Sequence, residues 1–292
     1  MTLPLQFLMR TAAVLLTALL YCSCESNNTW MIVVASLGLG HYMLSLFYAR
    51  PQIKRLFMNN DYARPLVVVI AIGLFAHAIS FPLILFFMIH HVCNEVYSVN
   101  GIGSSVSGAE CKRLQRAAAG LHIFFYLVVL QSQWPINQIY SGMLVFGTVV
   151  TAALFLHSLK KLSPFLTRTQ LIEASGFEAL VLALAIMSFW VKIPFLVIIC
   201  YHFVLWCFLP LPRVLKRGRP AAINFLALTF ACTLLFFLLS PLGFVSYPIP
   251  GSLFYQQFLF WSYVHIASSF AFSRSHPEWI VRWFWPTQPA QS

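Results

Sequence analysis

Nine histidines are spread along the chain, and five of them lie deep within long apolar segments. These five are His41, His77, His122, His202 and His265, each on a different apolar segment. Ionisable side chains inside membrane-crossing helices are costly, and they usually face a cavity, a partner or a functional site. Imidazoles delivered by several helices therefore indicate a shared ligand. His90 and His157 lie near the ends of their segments, where a solvated position is expected.

The candidate ligands for a metal ion are five histidines and two carboxylates. The histidines are His41, His77, His91, His202 and His265, and the carboxylates, which are also candidate catalytic bases, are Glu95 and Glu178. His91 and Glu95 are four residues apart, so they share one face of a continuous helix. Neutral imidazoles together with carboxylates suit iron, zinc, copper or manganese. The sequence therefore predicts an intramembrane transition-metal site with one or two ions, most naturally non-haem iron.

Two other interpretations of the histidines stay open. His77 and His91 have the spacing of paired haem ligands on one helix, but His202 and His265 each stand alone in their segments. A two-haem electron carrier is therefore disfavoured, and one haem held by two helices is a weaker alternative to non-haem iron. A histidine in a membrane-spanning helix also often only bonds to a neighbouring helix, which contributes about 1 kcal/mol.

The composition excludes a soluble or disordered protein. Of the 292 residues, 60% are hydrophobic and only 9% are charged, whereas soluble domains carry about 25% charged residues. No Asp, Glu, Lys or Arg occurs between Arg116 and Lys160, or between Arg219 and Arg274. A helix that crosses a bilayer needs about 20 apolar residues, so each uncharged run is long enough for two crossings.

The apolar segments predict an all-α fold, a polytopic transmembrane helical bundle with about 8–10 spans in a single domain. Nine candidate spans are 5–22, 29–49, 65–92, 117–133, 138–158, 171–190, 193–211, 222–245 and 253–273. Residues 1–273 would form the transmembrane domain, and 274–292 a short interfacial or cytoplasmic tail. The first segment lacks a small-x-small cleavage site, so we interpret it as a retained span and not as a signal peptide.

Lys and Arg residues predict the orientation of the bundle. Loops 50–64, 159–169 and 212–219 are rich in them and, together with the C-terminus, are expected to face the cytoplasm. The first two of these loops are separated by three predicted spans, which conflicts with a shared side.

Two arrangements of the run 65–94 resolve this conflict, and the sequence leaves both open. The run either enters the membrane and returns as a hairpin broken near Pro82, or forms one long tilted helix that makes one loop violate the rule. A disulfide between Cys93 and Cys111 in an oxidising compartment would favour the long helix.

These observations lead to one expected function and two alternatives. We expect a membrane enzyme, a metal-dependent oxidoreductase or oxygenase, whose partners are membrane lipid and a lipophilic small-molecule substrate. Nucleic acid is excluded as a partner because the basic residues are scattered over several short loops. The alternatives are a transporter or proton-coupled channel with histidines along its pathway, and a structural or assembly subunit whose histidines only hold helices together.

Overall fold

The computed structural model describes residues 5–24, 26–58, 63–79, 82–99, 108–133, 138–239, 253–272 and 276–284. About 90% of this part of the chain is helical, and it contains no strand. The predicted all-α fold is therefore confirmed.

Twelve α-helices follow one another within these ranges. They are α1 Leu5–Ser23, α2 Asn27–Met58, α3 Ala63–Ala78, α4 Leu83–Cys93, α5 Ala109–Gln133, α6 Gln138–Leu162, α7 Arg168–Met187, α8 Phe195–Phe208, α9 Leu211–Leu215, α10 Arg219–Leu239, α11 Leu253–Phe272 and α12 Glu278–Phe284. A π-helical segment, Asn94–Val99, continues α4. Seven helices of the described ranges are long and apolar enough to cross a membrane, so the chain is a multi-pass membrane bundle.

Helix α1 turns its polar face toward the protein and its leucines outward. Its buried residues are Arg10, Ala13 and Thr17, whose spacing of three and four places them on one face. Leu15 and Leu19 are exposed. Lipid tails are as apolar as leucine, so small and polar side chains gather where membrane helices meet. This face packs on α7 and α8, and it carries Arg10 into the interior.

Helix α8 lies at the centre of the bundle. It begins directly after Pro194, and it contacts α1, α2 and α5. Its sequence is apolar on all sides, which is typical of a helix surrounded by others. His202 and its neighbours Tyr201 and Phe203 are all buried, so α8 brings a histidine to the middle of the protein.

The run 65–94 is broken into two helices, α3 and α4, with Pro82 at the N-terminus of α4. Gly73 on α3 lies against Val264 of α11, and His90 on α4 lies beside His265, one residue further along α11. A straight helix would separate positions 73 and 90 by about 25 Å, so the chain must reverse between them. The hairpin alternative is therefore correct and the long helix is wrong; positions 80 and 81 of the expected break lie outside the described residues.

The hairpin also removes the conflict between the basic loops. With one reversal between 63 and 99, the order of the helices places loops 50–64, 159–169 and 212–219 at the same end of the bundle. Cys93 and Cys111 are both buried and free, so the bridge that would have favoured the long helix is not formed. Which side of the membrane this end faces stays a prediction.

Candidate metal centre

Three histidines from three different helices converge inside the bundle. They are His41 on α2, His202 on α8 and His265 on α11, and one ring nitrogen from each lies within 4.8 Å of the others. The Nε2 atoms of His41 and His265 are 3.1 Å apart. His41 and His202 are buried, and His265 is partly buried. We call these three residues the histidine triad.

Close packing of α2 on α10 sets the position of His41. Gly40 precedes it, and a Cβ atom at Gly40 would lie 2.9 Å from Oγ1 and 3.3 Å from Cα of Thr233. Such a distance to backbone atoms of α10 leaves no space for a side chain. The missing side chain therefore lets the two helices approach while the next residue, His41, extends toward α8 and α11.

Hydrogen bonds orient the ring of His265. Ser45 Oγ donates its single hydrogen to the backbone carbonyl of Tyr42 at 2.8 Å. The same oxygen lies 3.0 Å from Nδ1 of His265, and there it acts as the acceptor. His265 therefore carries its proton on Nδ1, and the lone pair on Nε2 faces His41. In metal sites, a hydrogen bond from the nitrogen that does not bind the metal fixes the tautomer of the histidine in this way.

His90 adjoins the histidine triad, although the sequence favoured a solvated position for it. Its ring centroid is 5.1 Å from that of His202 and 5.6 Å from that of His265. The side-chain amide of Asn94, one turn later, donates to Nε2 of His90 at 3.0 Å. The break at Pro82 shortens this arm of the hairpin, and for that reason His90 lies at the level of the triad and not at the membrane surface.

His91 lies between the histidine triad and a group of charged residues. Its ring centroid is 5.0 Å from that of His202. Nδ1 of His91 is hydrogen-bonded to the hydroxyl of Tyr126, and Nε2 is 3.5 Å from Oε1 of Glu95. A phenol donates to a neutral imidazole, so Nε2 carries the proton. That N–H forms no hydrogen bond, and His91 therefore lies beside Glu95 without donating to it.

The two candidate carboxylates are buried in contact with basic side chains. Nε and Nη2 of Arg10 both donate to Oε2 of Glu95, at 3.0 and 2.6 Å. Tyr201 also donates to Glu95, at 3.4 Å. Oε2 of Glu178 is 2.8 Å from Nε2 of His122. In the part of the chain that the structure describes, Glu95 and Oε2 of Glu178 are thus engaged by residues outside the histidine triad.

Sequence reasoning missed Arg10, which is 2% exposed and lies 3.7 Å over the ring of Phe177. The available signal was its position, since a charged residue interrupts the first apolar segment. His122 was noted for its depth and now has a partner in Glu178. His77 belongs to α3, but its side chain lies outside what the structure describes.

The surroundings of the histidine triad are aromatic. Phe203 and Trp206 each lie with ring centroids 5.5 Å from His41, and Phe87 lies at the same distance from His202. Neutral imidazoles in such a dry environment bind a cation without adding buried negative charge. Comparisons with known protein families, with characterised proteins and with solved structures find no match to this chain.

Proposed function

We propose that the protein is an integral membrane metalloenzyme in which His41, His202 and His265 bind one transition-metal ion. The observation that supports this is the convergence of three imidazoles from separate helices within 4.8 Å. Metal–nitrogen bonds of about 2.0–2.1 Å separate two neighbouring ligand nitrogens by about 3.0–3.4 Å. The 3.1 Å between Nε2 of His41 and Nε2 of His265 lies within this range.

Non-haem iron is the ion that we propose, and its chemistry would be the oxidation or oxygenation of a lipophilic substrate. Three protein ligands leave coordination positions open for reactants, as in catalytic metal sites generally. Imidazole suits iron as well as zinc and copper, and iron supplies redox chemistry that zinc lacks. His90, beside His202 and His265, would bind a second ion only after releasing the hydrogen bond that Asn94 donates to its Nε2.

The aromatic environment supports a lipophilic substrate. Phe87, Phe203 and Trp206 surround the histidine triad, and the bundle lies in apolar surroundings that concentrate such molecules. Pockets for small apolar ligands are lined mainly by aromatic and aliphatic side chains, with a few polar groups that orient the reacting part. The three imidazoles would be these polar groups.

Metal analysis of the purified protein tests this proposal. We expect about one iron per chain, and His202→Ala and His265→Ala should abolish it while the protein still inserts. His157→Ala is the matched control, because His157 is exposed on α6 and should leave the metal content unchanged. Oxygen uptake on addition of membrane lipid should follow the metal content. Purified protein without stoichiometric metal, or with metal that survives both triad substitutions, would overturn the proposal.

Proton-coupled transport is a second candidate, favoured by one observation. Arg10, Glu95, His122 and Glu178 are all at most 2% exposed, and buried ionisable residues are typical of proton pathways in transporters. Liposomes that contain the protein would then acidify in response to a potential in the absence of metal. An enzyme of the proposed kind would show no such proton flux.

We further propose that the Lys- and Arg-rich end of the bundle faces the cytoplasm. The positive-inside rule supports this orientation, and the hairpin formed by α3 and α4 allows loops 50–64, 159–169 and 212–219 to share that side.

A further inference from the structure

We propose that His122 and Glu178 form a proton-binding site that holds one exchangeable proton inside the bundle. Nε2 of His122 and Oε2 of Glu178 are 2.8 Å apart, and both residues are 1% exposed. The argument depends on the charges around the pair and on two of its atoms that have no hydrogen bond.

The fixed charges come from Arg10 and Glu95. The guanidinium of Arg10 is always protonated in proteins, and it forms a close ion pair with Glu95. These two charges cancel. Glu178 is 3.9 Å from Nη2 of Arg10, too far for a hydrogen bond, so it receives only part of the compensation that Glu95 receives.

Glu178 therefore needs a second compensating charge or a proton. An ionised Glu178 beside a neutral His122 would leave one net negative charge in a medium that strongly disfavours it. One proton on the pair restores neutrality, whether it lies on the imidazole or on the carboxyl. Among the described residues, Tyr126 on α5 lies with its ring 6.3 Å from that of His122. One contact further away are His91 on α4, bonded to the hydroxyl of Tyr126, and Tyr201 on α8, stacked on Phe177 next to Glu178. Tyrosine hydroxyls and a neutral imidazole add no charge.

Two atoms of the pair are free to pass the proton on. Nδ1 of His122 and Oε1 of Glu178 are buried and have no hydrogen-bond partner. Buried polar atoms without a partner are rare, and each is a place where a water molecule or reactant would bind. A proton could thus enter at one atom and leave at the other, with the 2.8 Å contact between them.

A chain of side-chain contacts connects the His122–Glu178 pair to the histidine triad. The ring of Tyr126 lies 6.3 Å from that of His122, and its hydroxyl is hydrogen-bonded to His91, whose ring is 5.0 Å from that of His202. Loss of the proton would leave a negative charge that favours a cation at the triad. We therefore expect one proton to be released when a divalent ion binds, a step that rests on the proposed metal site.

The experiment first measures the proton without any metal. We would record infrared spectra of the metal-free protein and ¹⁵N spectra of its histidines at neutral pH, in water and in heavy water. We expect one signal from either an imidazolium or a protonated carboxyl that shifts in heavy water. It should disappear in Glu178→Gln, become the signal of a protonated carboxyl in His122→Gln, and persist in Glu178→Asp and in the control Glu110→Gln.

A neutral His122 beside an ionised Glu178 would overturn the proposal, and so would a proton that fails to exchange with heavy water. If Glu178→Gln does not fold, Glu178→Asp and the wild-type spectra still decide the question. Calorimetry of Zn²⁺ binding in two buffers then counts released protons, with one more expected from wild type than from Glu178→Gln. Equal counts would overturn the coupling. Absence of Zn²⁺ binding would overturn the metal site and leave the proton site to the spectra.

Discussion

Arg10 and Glu95, 85 residues apart in the sequence, form a buried ion pair in which two guanidinium nitrogens donate to one carboxylate oxygen. Both side chains are at most 2% exposed. This contact joins α1 to the segment that follows α4. It also brings a full positive charge to Glu95, whose other oxygen lies 3.5 Å from His91.

Removal of one member of this pair should destabilise the protein strongly. Arg10→Met or Glu95→Leu leaves a buried charge without its partner, at an expected cost of about 3–5 kcal/mol, whereas the double substitution should recover most of the loss. Unfolding in detergent measures each variant. Arg113→Met is the control, since Arg113 pairs with Glu110 on the surface and should change stability by less than about 1 kcal/mol. Additive losses in the double variant would contradict the pairing.

Ser45→Ala should weaken metal binding without abolishing it. The hydroxyl of Ser45 accepts a hydrogen bond from Nδ1 of His265, and loss of such a bond to a metal-binding histidine typically lowers metal affinity about 10- to 100-fold. Titration with a competing chelator measures the affinity. Ser268→Ala is a matched control. Ser268 lies on α11, the helix that carries His265, and its hydroxyl donates to the backbone carbonyl of Val264. An unchanged metal affinity in Ser45→Ala would show that the Ser45 hydroxyl does not contribute to metal binding through His265.

Gly40→Ala should disturb both packing and metal binding. The new methyl group would lie 2.9 Å from Thr233 Oγ1 and 3.3 Å from Thr233 Cα, and overpacking of this kind costs about 1–3 kcal/mol. Because α2 must move away from α10, His41 should move and metal affinity should fall. Gly142→Ala is the control: its methyl group meets nothing within 4 Å, so stability should stay or rise slightly. Equal behaviour of the two variants would refute the close contact.

The hairpin predicts which positions share a side of the membrane. Single cysteines at Lys54, Lys112, Lys161 and Arg217 should react with an impermeant thiol reagent from the same side, and a cysteine at Trp190 from the opposite side. Trp190 is 77% exposed at the other end of the bundle. The unsubstituted protein, with its own exposed Cys22, provides the background. Labelling of Lys54 from the same side as Trp190 would reinstate a single long span, and labelling of Lys161 from outside the cell would reverse the orientation.

Low pH should loosen the C-terminal helix α12. His276 precedes it and is 5% exposed, and burial lowers the pKa of His276 from 6.5 to about 4. The folded form therefore keeps His276 neutral while the undocked form takes up a proton below pH 6.5. The free energy that holds α12 in its docked position is therefore largest above pH 6.5. It decreases by up to about 3 kcal/mol as the pH falls to 4.

Hydrogen exchange of the amides of Glu278–Phe284 measures this effect after correction for the intrinsic rate. The opening equilibrium should be larger at pH 5 than at pH 7 in wild type. His276→Gln, which cannot titrate, should show the same equilibrium at both values. A wild-type opening equilibrium that does not change with pH would show that protonation of His276 does not control the docking of α12.

Much of the fold was predictable because membrane spans depend on length and apolarity, which are direct properties of the sequence. His41, His202 and His265 were recognisable by their depth alone. The reversal at Pro82 was one of two possibilities, since a proline in an apolar run either kinks or breaks a helix. His90 was assigned to the surface because its depth depends on that choice.

The pairing of Arg10 with Glu95 was not predictable. Outward-facing leucines and an inward-facing arginine give α1 the reverse of the polarity seen in soluble helices, so periodicity does not show which face is inside. No spacing rule links residues that are 85 positions apart. The partner of a buried charge is known only when the helices that carry both residues have been packed together.

The pairing of Arg10 also has a consequence for biogenesis. Ribosomes add about 5–20 residues per second, so a nascent chain carries Arg10 for roughly 4–17 seconds before Glu95 has been synthesised. An arginine costs about 2.5–3.5 kcal/mol at the centre of an inserted helix by translocon-based scales, and Arg10, the sixth of 19 residues in α1, bears part of this cost. We therefore expect the first helix to wait at the membrane interface or in the insertion machinery, and to settle only when the hairpin arm that bears Glu95 has entered beside it.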